Sequence, residues 1–173
     1  RGLIARARRS RSLDDDGAAV LFAQLESLGA VPDTERLEAT LLVRAGELLH
    51  SLDESRSVGA ERLLRRALVR LDRLPGMGLW RARAEVALAM TLRDAGRPDE
   101  ALPYALRGVE TLDAERFEMD ARRTRSTWGK HQNAAFDCAI DLAHRCGRTD
   151  IAADLIIFSR AAGVVTESMK RLV

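Results

Sequence analysis

The stretch "NAAFDCAIDLAHRCG" carries most of the side chains in this chain whose types and spacing suit chemistry. Asp137, Asp141 and His144 stand at i, i+4 and i+7, which places all three on one face of a helix. Two carboxylates and an imidazole are the donor types of a metal site and equally of a solvated or peptide-binding face. The reading adopted is the face, with no metal. Cys138 has His131 seven residues before it and His144 six after, a nucleophile with bases nearby in sequence. Neither spacing gives a triad and no loop for an oxyanion hole adjoins, so Cys138 reads as a small buried helix residue.

A second constellation is "ARRTRSTWGKH", with Arg122, Arg125 and Trp128 at steps of three and Lys130 and His131 beside them. Arginines interleaved with an aromatic can bind nucleic acid through phosphate contacts and stacking. Trp128 falls on the apolar stripe, however, and is expected in the core beside a solvated basic edge. The opening "RGLIARARRSRS" offers five further arginines for an anionic surface, or reads as a frayed terminus. There is no Gly-rich phosphate loop, CxxC, HExxH or GxSxG. The segment is therefore expected to be non-catalytic and to need no cofactor.

The elements that position these residues are expected to be helices. Aromatic content is 4% while Ala and Leu abound, which favours helix over sheet. Hydrophobic residues at 46% and charged residues at 31% exclude wholesale disorder, and 173 residues suffice for one core. A net charge of +2 excludes a polyelectrolyte binder, and the basic residues are nearly all Arg, with Lys only at Lys130 and Lys170. No apolar run approaches the roughly 20 residues of a membrane span, so no membrane partner is expected. No signal peptide is visible, and the start on Arg reads as a piece excised from something longer. Cys138 and Cys146 on one helix would lie about 12 Å apart at 1.5 Å per residue, too far for a disulfide. Free thiols fit a reducing, cytoplasmic compartment.

Periodicity predicts about seven helices and no strand, an all-α chain of stacked antiparallel helix pairs. The acidic "LDDDG" suits a first helix reaching about Leu28. A second, about 34–52, has an apolar stripe of Leu37, Leu41, Ala45, Leu48 and Leu52. A third, about 60–74, carries Leu63, Leu64, Ala67, Leu68 and Leu71, and "PGMG" stops it. A fourth, about 79–95, closes on Gly96, and a fifth runs from Pro98 to about Ala114 with Pro103 in its early turns. The segment Phe117–Cys146 reads as one long helix or as two broken near Gly129. A final helix runs to about Ala162, and "VVTESMKRLV" reads as a tail or the start of another element.

Two of these junctions repeat. "AGRPDEA" and "CGRTDIA" place Gly96 and Gly147 51 residues apart. Small residues seven apart follow each: Ala101 and Gly108, then Ala152 and Ser159, with a weaker early copy at Ala60 and Ala67. Leu88 and Ala89 form a large-small pair ahead of the first turn. This arrangement resembles the tetratricopeptide repeat, in which small residues let paired helices approach closely. The spacing exceeds that family's usual period of about 34, Ala105 stands where an aromatic is customary, and Ala139-Ile140 inverts the large-small order. The resemblance is thus to a degenerate array over about residues 34–162.

It implies a concave groove lined by the first helix of each pair, with Arg83, Val86, Met90, Arg93 and Asp94 from one repeat. The last repeat would add Asp137, Asp141, His144 and Arg145, and the mixed charge suits a peptide or protein partner. The run "RRTRSTW…AAFDCAIDLAHRCGRTDIAADLIIFSRAAG" also resembles the helical region preceding the caspase-like domain of actinobacterial CHAT proteins. That likeness implies a parent cysteine protease in which this array senses a signal or recruits substrate. The organisation expected is a lead-in at 1–12, a helical domain at 13–163 and a tail at 164–173. Alternative readings are the regulatory array of a bacterial transcription regulator and an Arg-rich nucleic-acid-binding domain. Neither the partner's identity nor the oligomeric state is legible.

Overall fold

The computed structural model describes residues 35–52, 57–118 and 125–170, with side chains for all of these except 115–118, 125–132 and 161–170. The described residues form six α-helices and no strand: α1 (Glu35–Leu52), α2 (Ser57–Leu71), α3 (Gly78–Asp94), α4 (Pro98–Glu118), α5 (Arg125–Arg145) and α6 (Thr149–Lys170). The expected first helix lies outside the described residues.

Helices α3 and α5 end on the glycines that the sequence marks, whereas α2 ends at Leu71, ahead of Gly76 in the turn that follows it. Gly76, Gly96 and Gly147 have φ of 70°, 74° and 69°, a left-handed conformation that costs other residues about 1 kcal/mol or more. At the end of α3 the Gly96 amide donates to the Arg93 carbonyl at 3.0 Å and the Arg97 amide to Leu92 at 2.9 Å. At the end of α5 the Gly147 amide donates to His144 at 3.0 Å and the Arg148 amide to Ala143 at 2.8 Å. Both are Schellman turns, which satisfy the last carbonyls of the helix and reverse the chain within a few residues. Asp99 and Glu100, and likewise Asp150, then occupy the first turn of the next helix, where the peptide dipoles favour negative charge. The repeated words in the sequence are thus one turn built twice.

Consecutive helices pack together, and alternate helices α1 with α3 and α3 with α5 also touch. Pairing within α1 and α2 is antiparallel: Glu38, early in α1, meets Arg66 and Arg70 late in α2, while Gly46 lies against Ala60 and Leu64. The α3–α4 pair is built likewise, with Gly108 against Ala82 and Val86. A Cβ added at Gly46 would lie 2.6 Å from Leu64 Cγ, and one at Gly108 would lie 2.7 Å from Val86 Cγ2. Missing side chains set how closely these axes approach.

Helix α3 has neighbours on several sides, and its sequence reflects it. Ala82, Ala84, Ala87, Leu88, Ala89, Thr91 and Leu92 are all buried, distributed around the helix rather than along one stripe. Leu88 and Leu92 contribute most, each worth about 1.5–3 kcal/mol of burial. The apolar interior forms two clusters, one within α1, α2 and the start of α3, the other spanning α2 to α6.

Four expectations change. The α1 stripe is rotated: Glu38, Ala39, Leu42, Val43, Ala45, Gly46 and Leu49 are buried, while Leu37 is 51% exposed. Small residues and Gly46 select this face because only it allows α2 to approach. The long apolar segment is neither one helix nor two broken near Gly129: Phe117 belongs to α4, and Gly129 lies inside α5. Helix α4 runs through Pro103 as expected but continues past Ala114 to Glu118. Helix α6 continues past Gly163 to Lys170.

Replacing Gly96 by Ala should destabilise the fold by about 1–2 kcal/mol in urea denaturation, because no atom lies near the added methyl and only the left-handed backbone opposes it. An unchanged midpoint would mean that the turn does not require this conformation.

Candidate functional site

The odd-numbered helices run in one direction. The guanidinium of Arg36, at the start of α1, donates to the Pro75 carbonyl just before α3 at 2.8 Å, and His50, near the end of α1, meets Asp94 at the end of α3. Arg93, also at the end of α3, meets Asp141 near the end of α5. Polar positions on these three helices therefore join into one face.

The face has an aromatic centre and an ionic chain. Trp80, on α3, is half-buried, with the guanidinium of Arg44 5.3 Å and that of Arg83 5.5 Å from its ring centroid. Arg83 also grips Glu47 of α1 with both ends of its fork, Nη2 lying 2.7 Å from Oε2. Farther along, His50 Nε2 is 3.5 Å from Asp94 Oδ2, and Arg93 donates from Nε to Asp94 Oδ1 at 2.8 Å. Arg93 Nη1 is 3.6 Å from Asp141 Oδ2, and Arg145 closes the chain with Nε 2.9 Å from the same carboxylate. The hydrogen bond to Asp94 raises the pKa of Arg93 above its already high ordinary value.

Of the sequence-predicted groove residues, Arg83, Arg93, Asp94, Asp141 and Arg145 are brought into this arrangement. Asp137 and His144 are exposed on α5, and Met90 is half-buried against the core. Val86 is a correction: it points to α4, where it fills the space over Gly108, and lies off the face. Sequence reasoning missed Arg44, Glu47, His50 and Trp80. The available signal was Glu47 and His50 at i and i+3, opposite the buried Leu42 and Leu49 stripe. It was obscured by the misjudged α1 register.

The arrangement changes the meaning of the charges. Glu47, Asp94 and Asp141 are each answered across a helix boundary, by Arg83, His50 and Arg93, while Arg145 is answered within α5, so most charges of the face are paired. Among the described residues no three His, Cys, Asp or Glu side chains come together as a metal site. Cys138 is 2% exposed, and burial pushes its thiol up to about 11 despite nearby Arg93. A thiol so placed is a poor nucleophile at neutral pH. The basic patch expected at Arg122, Arg125 and Lys130 lies outside the described residues or side chains.

A second ionic group lies off this face. Glu85, on α3, is 2% exposed, with Arg81 Nε 3.3 Å away, Arg107 Nε 3.6 Å away and Thr111 Oγ1 donating at 3.5 Å. Burial raises its pKa, partly opposed by the two arginines. Through Arg107 and Thr111 it ties α4 to α3.

The Arg93→Glu variant should be destabilised by about 1–3 kcal/mol, since a carboxylate would replace the cation between Asp94 and Asp141. Arg145→Glu, on the exposed end of the same chain, should cost under about 1 kcal/mol. Thermal or urea denaturation of the two variants measures this difference, and equal losses would deny Arg93 its bridging position.

No protein family matches this chain, and no similar chain is found among curated proteins or solved structures.

Proposed function

We propose that this chain is a non-catalytic interaction module, a degenerate tetratricopeptide-like α-solenoid that binds a peptide or protein segment across α1, α3 and α5. The observation that carries the reading is the joint face of these helices, with Trp80 under two guanidinium groups beside a belt of half-exposed ion pairs. A tryptophan with cations above it offers a partner a large, rigid contact area. The paired charges supply hydrogen-bonding groups that a polar segment can share without leaving an isolated charge buried.

The array reading is supported by the twice-built Schellman turn and by small residues at the helix crossings. Ala60, Ala67, Ala101 and Ala105 are fully buried, as close packing of paired helices requires. The likeness of the Arg122–Gly163 region to CHAT proteins suggests the setting, in which the array senses a signal or recruits substrate for a cysteine protease domain. The buried, weakly acidic Cys138 favours placing any such chemistry outside this segment. A nucleic-acid role is disfavoured by the pairing of arginines with carboxylates of the same chain, among them Arg65, Arg70, Arg83, Arg93, Arg97, Arg107 and Arg145. Cations already paired have fewer counterions to displace from a phosphate backbone.

Peptides selected from an unbiased display library should include a class that slows amide exchange in α1, α3 and α5. Trp80→Ala should weaken that class by about 2 kcal/mol, as expected for an aromatic anchor. Selection that yields no such class, or peptides indifferent to Trp80, would contradict the proposed face.

A further inference from the structure

The even-numbered helices meet their neighbours differently at their two junctions. Between α2 and α4 the space is filled from within. Arg65 Nη1 donates to the Tyr104 hydroxyl at 2.8 Å, and Arg65 and Arg107 lie 5.5 and 4.5 Å from its ring centroid. Arg97 adds an ion pair to Glu61 at 2.7 Å. Cations over an aromatic ring, each answered by a carboxylate, close that junction.

Between α4 and α6 there is instead an open cleft of about 480 Å³. Both helices pack on α5, and their facing stripes leave a floor of Val109, Leu155 and Phe158. Phe158 rests on Phe136 of α5 with ring centroids 5.8 Å apart, which fixes the floor, and it remains 43% exposed. Among the described residues the charged groups lining the cleft are Glu110, Asp113 and Asp154, all carboxylates, of which Asp113 already has an interaction of its own. Next to it, α6 leaves Ile156 38% and Ile157 67% exposed. The first junction combines an aromatic, arginines and carboxylates, and the described lining of the second brings the aromatic Phe158 together with the carboxylates Glu110 and Asp154.

We propose that the cleft between α4 and α6 is a second docking site, which receives a basic amphipathic segment of a partner protein. The segment's apolar side chains cover Val109, Leu155 and Phe158. Its arginines or lysines reach Glu110 and Asp154 and stack on the exposed face of Phe158, as Arg65 and Arg107 do on Tyr104. An acidic segment is excluded by like-charge repulsion at the rim. This site is independent of the face formed by α1, α3 and α5, on the opposite helices of each pair.

The test is fluorescence anisotropy of a labelled peptide with Leu at helical spacing and Arg and Lys on its flanks, titrated with the full chain. A control peptide carries Glu in place of the basic residues. The basic peptide should bind with roughly micromolar affinity and the acidic one not measurably. The Glu110→Lys/Asp154→Lys double variant should weaken binding by about tenfold or more, because both rim attractions become repulsions. Glu35→Lys, a reversal at an exposed position at the start of α1, should leave binding unchanged. Equal affinity for both variants, or none for the unaltered chain, would overturn the proposal. So would a self-dimer that the double variant dissolves, which would make a second copy the occupant. Binding that appears only after residues 1–12 are removed would assign the cleft to the chain's own lead-in and overturn it as well.

Discussion

Where Gly108 has no side chain, α3 occupies the space: a Cβ there would meet Val86 Cγ2 at 2.7 Å and the Ala82 carbonyl at 3.4 Å. Gly46 makes the same concession to Leu64 one pair earlier. These contacts set the separation of the paired helices, and much else follows from that separation. With each even helix held close against its odd partner, the odd helices are left near enough to touch one another. Only at that distance can Arg83 span α3 to Glu47 of α1, and Arg93 reach Asp141 of α5. A wider crossing would leave the same side chains as isolated surface charges of little energetic consequence.

The two faces of the molecule then acquire different characters from similar ingredients. On the odd helices, cations and anions pair both between helices and within them, on the face that carries Trp80. On the even helices, α2 and α4 satisfy each other through Tyr104, whereas α4 and α6 face each other with apolar floors and carboxylate rims. The difference lies in sequence: Arg65 and Tyr104 sit at the first junction, and Leu155 and Phe158 at the second. On the proposed reading, function is a matter of which junctions are closed from within and which are left for another chain.

The turns were legible in the sequence because their chemistry is local. A left-handed residue after a helix demands glycine, so Gly96 and Gly147 announced themselves and the chain reversals with them. Helix type was equally plain. The register of α1 was not, because Leu37, Leu41, Leu42, Leu48 and Leu49 surround most of that helix and support two stripes. The buried one is chosen by Gly46, by Ala39 and Ala45, and by Arg66 and Arg70 holding Glu38, all properties of the partner helix as much as of α1. Val86 was misplaced for the same reason, since its direction depends on the vacancy at Gly108. Ion pairs such as His50–Asp94 and Arg93–Asp141 join residues more than forty positions apart and leave no periodic trace.

The crossing at Gly108 can be measured directly by a cycle of Gly108→Ala and Val86→Ala followed by urea denaturation. Alanine gains about 1 kcal/mol over glycine in an open helix, while overpacking a tight contact costs about 1–3 kcal/mol. In the unaltered chain Gly108→Ala should therefore be neutral to destabilising, and in the Val86→Ala background, with the obstructing methyl gone, it should become stabilising. That change of sign is the result expected if the missing side chain sets the helix separation. Stabilisation of about 1 kcal/mol in both backgrounds would show that α3 and α4 are not held close at this point.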